Sequence, residues 1–86
     1  MKYRVEMQPL AGRYVVAFKD PETGDLVKTM AVNASAAAMI RGLADGTPRE
    51  TLVRELAERF GVEPALIARD LGPLEEKLRS QGLFDL

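Results

Sequence analysis

The chain has 86 residues, 47% of them hydrophobic and 29% charged, which suffices for one modest core under an ordinary globular surface, so residues 1–86 are read as a single domain. The net charge of −1 offers no global attraction for nucleic acid or an anionic membrane. Histidine, cysteine and tryptophan are absent, which excludes disulfides and thiolate zinc sites and removes the commonest general base and the thiolate nucleophile. The expectation is a protein that is not an enzyme and has no cofactor. No stretch has the charged-then-apolar form of a secretion signal or the roughly 20 apolar residues of a membrane span. The expected location is therefore the cytoplasm.

Lys2 to Met7 alternates, with Tyr3, Val5 and Met7 on one side and Lys2, Arg4 and Glu6 on the other, as a half-buried strand does. Gln8-Pro9-Leu10-Ala11-Gly12 reads as a turn, because Pro9 lacks an amide hydrogen and Gly12 tolerates positive φ. Arg13 to Lys19 is a second strand with Tyr14, Val16 and Phe18 on one face. Asp20 to Asp25 is a hairpin loop in which Gly24 supplies the left-handed residue. Leu26 to Val32 is the third strand. Plain alternation puts Leu26, Lys28, Met30 and Val32 on one face and Val27, Thr29 and Ala31 on the other. The second face is small and low in charge. It reads either as the plain underside of a sheet or a face covered by a helix, or as part of an exposed strand that pairs with another chain.

Asn33 is the expected cap of a first helix, with Ser35 as a second candidate. Ala36, Met39, Ile40 and Leu43 recur at helical spacing, and four alanines between positions 34 and 38 keep the helix slim. Asp45-Gly46 ends it. Thr47-Pro48-Arg49-Glu50 predicts a capping box with proline at the first helical position. Leu52, Val53, Leu56, Ala57 and Phe60 form the apolar stripe of this second helix. Glu50–Arg54 and Glu55–Arg59 are spaced as i,i+4 ion pairs. Gly61 stops it. Val62-Glu63-Pro64 opens a third helix with Ile67, Leu71, Leu74 and Leu78 in register. Gly72-Pro73 predicts a kink or a division into two short helices, since Pro73 leaves the Arg69 carbonyl without its partner. Gly82 closes the helix and lets Leu83 pack back on Leu78.

Strands followed by helices predict an α+β domain: a three-stranded antiparallel sheet, then three helices. The expected core is Tyr14, Val16, Phe18, Ile40, Leu43, Val53, Leu56, Phe60, Leu71, Leu74 and Leu78.

This order, together with Val32-Asn33, Ala36, Ile40, Leu43, Asp45-Gly46-Thr47, Leu56, Phe60, Val62, Asp70-Leu71, Leu74 and Gly82-Leu83, resembles the PqqD-like family over essentially the whole chain. That family supplies the peptide-recognition elements of ribosomal-peptide modification pathways. The resemblance implies a compact winged-helix-like domain that acts as a peptide chaperone. Its partners would be the leader of a precursor peptide and a modifying enzyme, often a radical S-adenosylmethionine enzyme. It further implies that the leader adds as a strand beside the third strand and rests against the third helix. Carried onto this chain, the peptide-binding residues are Val27, Lys28, Thr29, Met30 and Ala31 on the strand and Arg69, Asp70, Pro73, Leu74 and Lys77 on the helix. Gly72-Pro73 departs from the continuous helix usual in the family. The Asp20–Asp25 turn looks more like the broad PqqD-like set than members dedicated to pyrroloquinoline quinone, so the pathway stays open between that cofactor and another modified peptide.

The residues on their own also admit other roles. Lys28 serves equally as a gatekeeper charge on an exposed edge, and Arg69 with Asp70 as a solvated pair. The third strand would pair with its own copy in a homodimer or structural module. A DNA-binding winged helix needs a basic recognition helix, but Glu63 to Ala68 carries no positive charge. Asp70 and Glu75-Glu76 supply carboxylates on one helix, the weakest basis for an enzyme.

Overall fold

A computed structural model describes residues 2–84. The chain forms β1 (Arg4–Leu10), β2 (Arg13–Lys19) and β3 (Leu26–Val32), then α1 (Ala34–Ala44), α2 (Arg49–Phe60) and α3 (Pro64–Ser80). The strands make one antiparallel sheet in the order β1-β2-β3, so the fold is the expected α+β arrangement.

β1 runs three residues further than alternation alone suggests and ends only at Leu10. The turn shrinks to Ala11-Gly12, at φ 52° and 79°, the pair of left-handed residues of a two-residue hairpin whose twist matches the strands it joins. Pro9 is thus inside β1, opposite Tyr14. A proline is tolerated there because β1 lies at the sheet margin.

The β2–β3 loop is held by its own side chains. The Asp20 carboxylate accepts from the amides of Glu22 (2.8 Å) and Thr23 (3.2 Å), and the Gly24 amide donates to the Asp20 carbonyl at 2.8 Å. The register then slips: Phe18 faces Lys28 while Lys19 faces Leu26. Val27 is the extra residue of a bulge. The slip moves Leu26 off the Lys28–Met30–Val32 face and onto the face of Thr29 and Ala31, because each residue shares the face of its cross-strand partner.

The helices cover one face of the sheet. Val5, Val16, Phe18 and Val32 are buried beneath Ala37, Met39, Ile40, Leu43, Leu52, Leu56, Ala57, Ile67, Leu71, Leu78 and Leu83. Tyr14, Val53, Phe60 and Leu74 are only partly buried against this core. α1 lies on β1 and β2, and α3 packs on α2 and α1.

Asn33 caps α1, its side-chain oxygen accepting from the Ala36 amide at 2.9 Å. All three helices end on a glycine with positive φ (Gly46, Gly61, Gly82). In each the following amide reaches back five residues: Thr47 to Gly42, Val62 to Ala57, and Leu83 to Leu78 at 2.8 Å. That bond seats Leu83 in the core, 1% exposed.

Three local expectations are corrected. The capping box does not form: α2 starts after Pro48 with no side-chain cap, and the Thr47 amide is used by the α1 terminus instead. Among the described residues neither Glu50–Arg54 nor Glu55–Arg59 pairs. Arg49 instead bridges α2 to Glu75 of α3 at 3.2 Å, and the Glu75 side chain is 12% exposed. α3 is a single helix through Gly72-Pro73, so the division into two short helices is the part of that expectation that fails. Arg69 and Pro73 are both exposed, so water can satisfy the freed Arg69 carbonyl, while Leu71 and Leu78 hold both halves in the core.

Candidate functional site

A three-stranded sheet has two margins, and the sequence treats them differently. The turn Ala11-Gly12 makes Leu10–Arg13 a hydrogen-bonded pair. Pairs alternate from there. Gln8, Glu6 and Arg4 therefore bond to β2, and Val5, Met7 and Pro9 turn their main-chain groups outward. At two of these three residues one outward group is already occupied or missing. The Arg41 guanidinium donates to the Val5 carbonyl at 3.2 Å, as the outward direction of that carbonyl requires. Pro9 has no amide hydrogen. The β1 margin is thus blunted at Val5 and Pro9, with Met7 between them still presenting its amide and carbonyl outward.

The same alternation fixes β3. Arg13, Val15, Ala17 and Lys19 bond to β1, so Tyr14, Val16 and Phe18 turn toward β3 and meet Val32, Met30 and Lys28. Thr29 and Ala31 are left pointing their amides and carbonyls away from the sheet. Among the described residues no other segment pairs with β3. Between the bulge at Val27 and the helix at Asn33, this margin offers a short, regular row of unsatisfied main-chain groups.

The side chains on this strand divide by face. Lys28 and Met30 lie on the helix side with Val32, Lys28 exposed and Met30 partly buried. Thr29 and Ala31 lie on the open face and are exposed. Val27, thrown out by the bulge, is 48% exposed. The five helical candidates are on one element: Arg69, Asp70, Pro73 and Lys77 are exposed on α3, and Leu74 is partly buried beside them. Arg69 Nε is 3.3 Å from Asp70 Oδ1, with both side chains more than half exposed, a pairing that contributes little to stability.

The structure thus gathers the candidates into two sets, five on β3 and five on α3. Among the described residues no hydrogen bond or ion pair joins the sets. Reading the sequence alone missed the blunting of β1 by Pro9 and Arg41. Pro9 was the available signal; Arg41 becomes visible only once α1 is laid across β1. Among the described residues no group of acidic, histidine or cysteine side chains is placed to hold a metal. None of their helices is long and apolar enough to cross a membrane.

The family model described as Coenzyme PQQ synthesis protein D (PqqD) matches residues 19–83, which run from the end of β2 through Leu83. No curated protein and no solved structure matches the chain.

Proposed function

The chain belongs to the PqqD family, and from that premise we propose that it binds the leader of a ribosomally made precursor peptide and presents it to a modifying enzyme. The leader adds as a fourth strand beside β3. The main-chain groups of Thr29 and Ala31 supply the ladder bonds, and side-chain contacts set register. Lys28 and Met30 meet the guest on the helix side. Leu74 and Pro73 form an apolar wall on α3, with Arg69 and Lys77 as partners for leader carboxylates and Asp70 for an amide. The whole chain acts as one winged-helix-like, cytoplasmic domain without chemistry of its own. The enzyme it serves is of the radical S-adenosylmethionine class.

One observation supports this reading: among the described residues both outward residues of β3, Thr29 and Ala31, keep amide and carbonyl without a partner, whereas the β1 margin is blunted by Pro9 and by Arg41 on the Val5 carbonyl. Strand addition uses those groups whatever the guest's sequence.

The test exploits the alternation. Ala31→Pro deletes an outward amide without touching a β2–β3 bond, as Pro9 does on β1. Titration calorimetry with the precursor's leader should give a Kd on the order of 1 μM or tighter for the parent, about −8 kcal/mol. The Ala31→Pro chain should stay folded and bind at least about tenfold more weakly, the loss of one ladder bond of roughly 1 kcal/mol with some strain at its neighbours. Full affinity in the folded variant would show that the guest does not use this edge. No binding by the parent would defeat the reading altogether. Concentration-dependent mass without peptide would assign the edge to a second copy instead.

A further inference from the structure

On the opposite side of the molecule, between the β1 margin and α1, lies a cleft of about 160 Å³. Ala34, Ala37 and Ala38 form its helical wall, Met7 and Tyr14 its sheet wall, and Arg41 and Arg59 complete the lining. No carboxylate lines it. We propose that this cleft is a second docking site, which takes a single Asp or Glu side chain presented by a partner protein. The inference does not depend on peptide binding at β3.

The two arginines are in different states. Arg41 is anchored: it donates to the Val5 carbonyl, and its other terminal nitrogen stands 3.9 Å from Asp45. A guanidinium has five donors, so several stay available. Arg59 makes no hydrogen bond or ion pair among the described residues. Its guanidinium lies over the neighbouring Phe60 ring, 5.4 Å from the centroid, although Glu55 sits four residues earlier on the same helix. Two arginines that line one cleft, one held in place and one without a carboxylate, offer a two-pronged receptor for an anion. Carboxylates are the anions that guanidinium forks match in shape.

Size decides the source of the carboxylate. A cleft of this volume is well below the roughly 300 Å³ at which small-molecule sites begin, so it suits one side chain and not a metabolite. The alanine wall favours the same occupant, because methyl groups let a partner's backbone approach closely. The overall charge of −1 makes attraction here local rather than global, so the contact should be salt-sensitive and short in range.

The experiment uses the full isotope-labelled chain and two probes: N-acetyl-Leu-Glu-Leu amide, and the same peptide with Gln at its centre. Arginine Nε–Hε and backbone amide NMR signals are followed as each is added. The Glu peptide should move the Arg41 and Arg59 side-chain signals and the Ala38 amide saturably, and should bind roughly fivefold more tightly than the Gln peptide, as an exposed charge pair allows. In Arg59→Gln, which removes no internal hydrogen bond, that advantage should vanish while the β3 and α3 signals keep their positions. Equal shifts from both peptides, or none at these positions, would overturn the proposal. Acetate binding as tightly as the Glu peptide would also overturn it, by assigning the cleft to free carboxylates.

Discussion

Gly42 sits where α1 and α2 touch, and its missing side chain is the reason they can. A Cβ at this position would stand 2.2 Å from Leu52 Cδ1 and 3.0 Å from Cδ2. Leu52 is itself 3% exposed, so it has little room to move aside. Gly42→Ala should therefore destabilise the chain by about 1–3 kcal/mol, although alanine is the better helix former by about 1 kcal/mol. Urea unfolding of the two chains would read the difference. Equal or greater stability in the variant would mean that Leu52 repacks freely. Nothing in the sequence marks Gly42 as special, because its constraint comes from a residue on the next helix. Ala11 was hidden for the opposite reason. Its constraint is purely local, a φ of 52°, but alanine is a residue that left-handed geometry disfavours. The wider turn at 8–12 is what its identity suggests.

At the scale of single elements, the features legible in the sequence are those carried by near neighbours. Asn33 as a cap, Gly46, Gly61 and Gly82 as terminators and the Ile67–Leu78 stripe all appear as read. The capping box failed because the amide of Thr47 closes α1 before α2 begins. The Glu75 bridge to Arg49 joins residues 26 positions apart, beyond the reach of helical spacing. α3 is the most instructive case. Local rules break a helix at Gly72-Pro73, and tertiary packing of Leu71 and Leu78, both fully buried, keeps it whole. The helix still bears the lost bond, so Pro73→Ala should stabilise the chain by about 1–3 kcal/mol, less whatever the proline saves by stiffening the unfolded state. Chemical denaturation would measure it. An unchanged or lower stability would show that the proline's φ is already matched and its missing amide immaterial.

For the whole molecule, the informative property is the asymmetry of the sheet. An exposed edge strand invites uncontrolled pairing, and proteins blunt such edges with proline, charge or cover. Here β1 is blunted twice, by Pro9 within the strand and by Arg41 on the Val5 carbonyl. β3 keeps two outward residues free between a bulge and a helix cap, with Lys28 as its one charge. The strand order follows from alternation and short loops and was legible in the sequence, whereas for β3 the residues alone left a plain sheet face and a pairing edge both open. The blunting of β1 was not legible, because it needs α1 to cross the sheet and deliver Arg41 to a carbonyl 36 residues away. If this blunting is what keeps the molecule from pairing through the wrong edge, undoing it should expose that edge. Pro9→Val with Arg41→Gln restores an outward amide and frees an outward carbonyl on β1 while leaving the core residues in place. Sedimentation velocity should then show self-association that rises with concentration, absent from the parent at the same concentrations. Placing a proline at Met7, the third outward residue, should suppress it again. A double variant that sediments as the parent does would mean that shortness and twist alone protect β1, and that Arg41 is present for the cleft rather than for the edge.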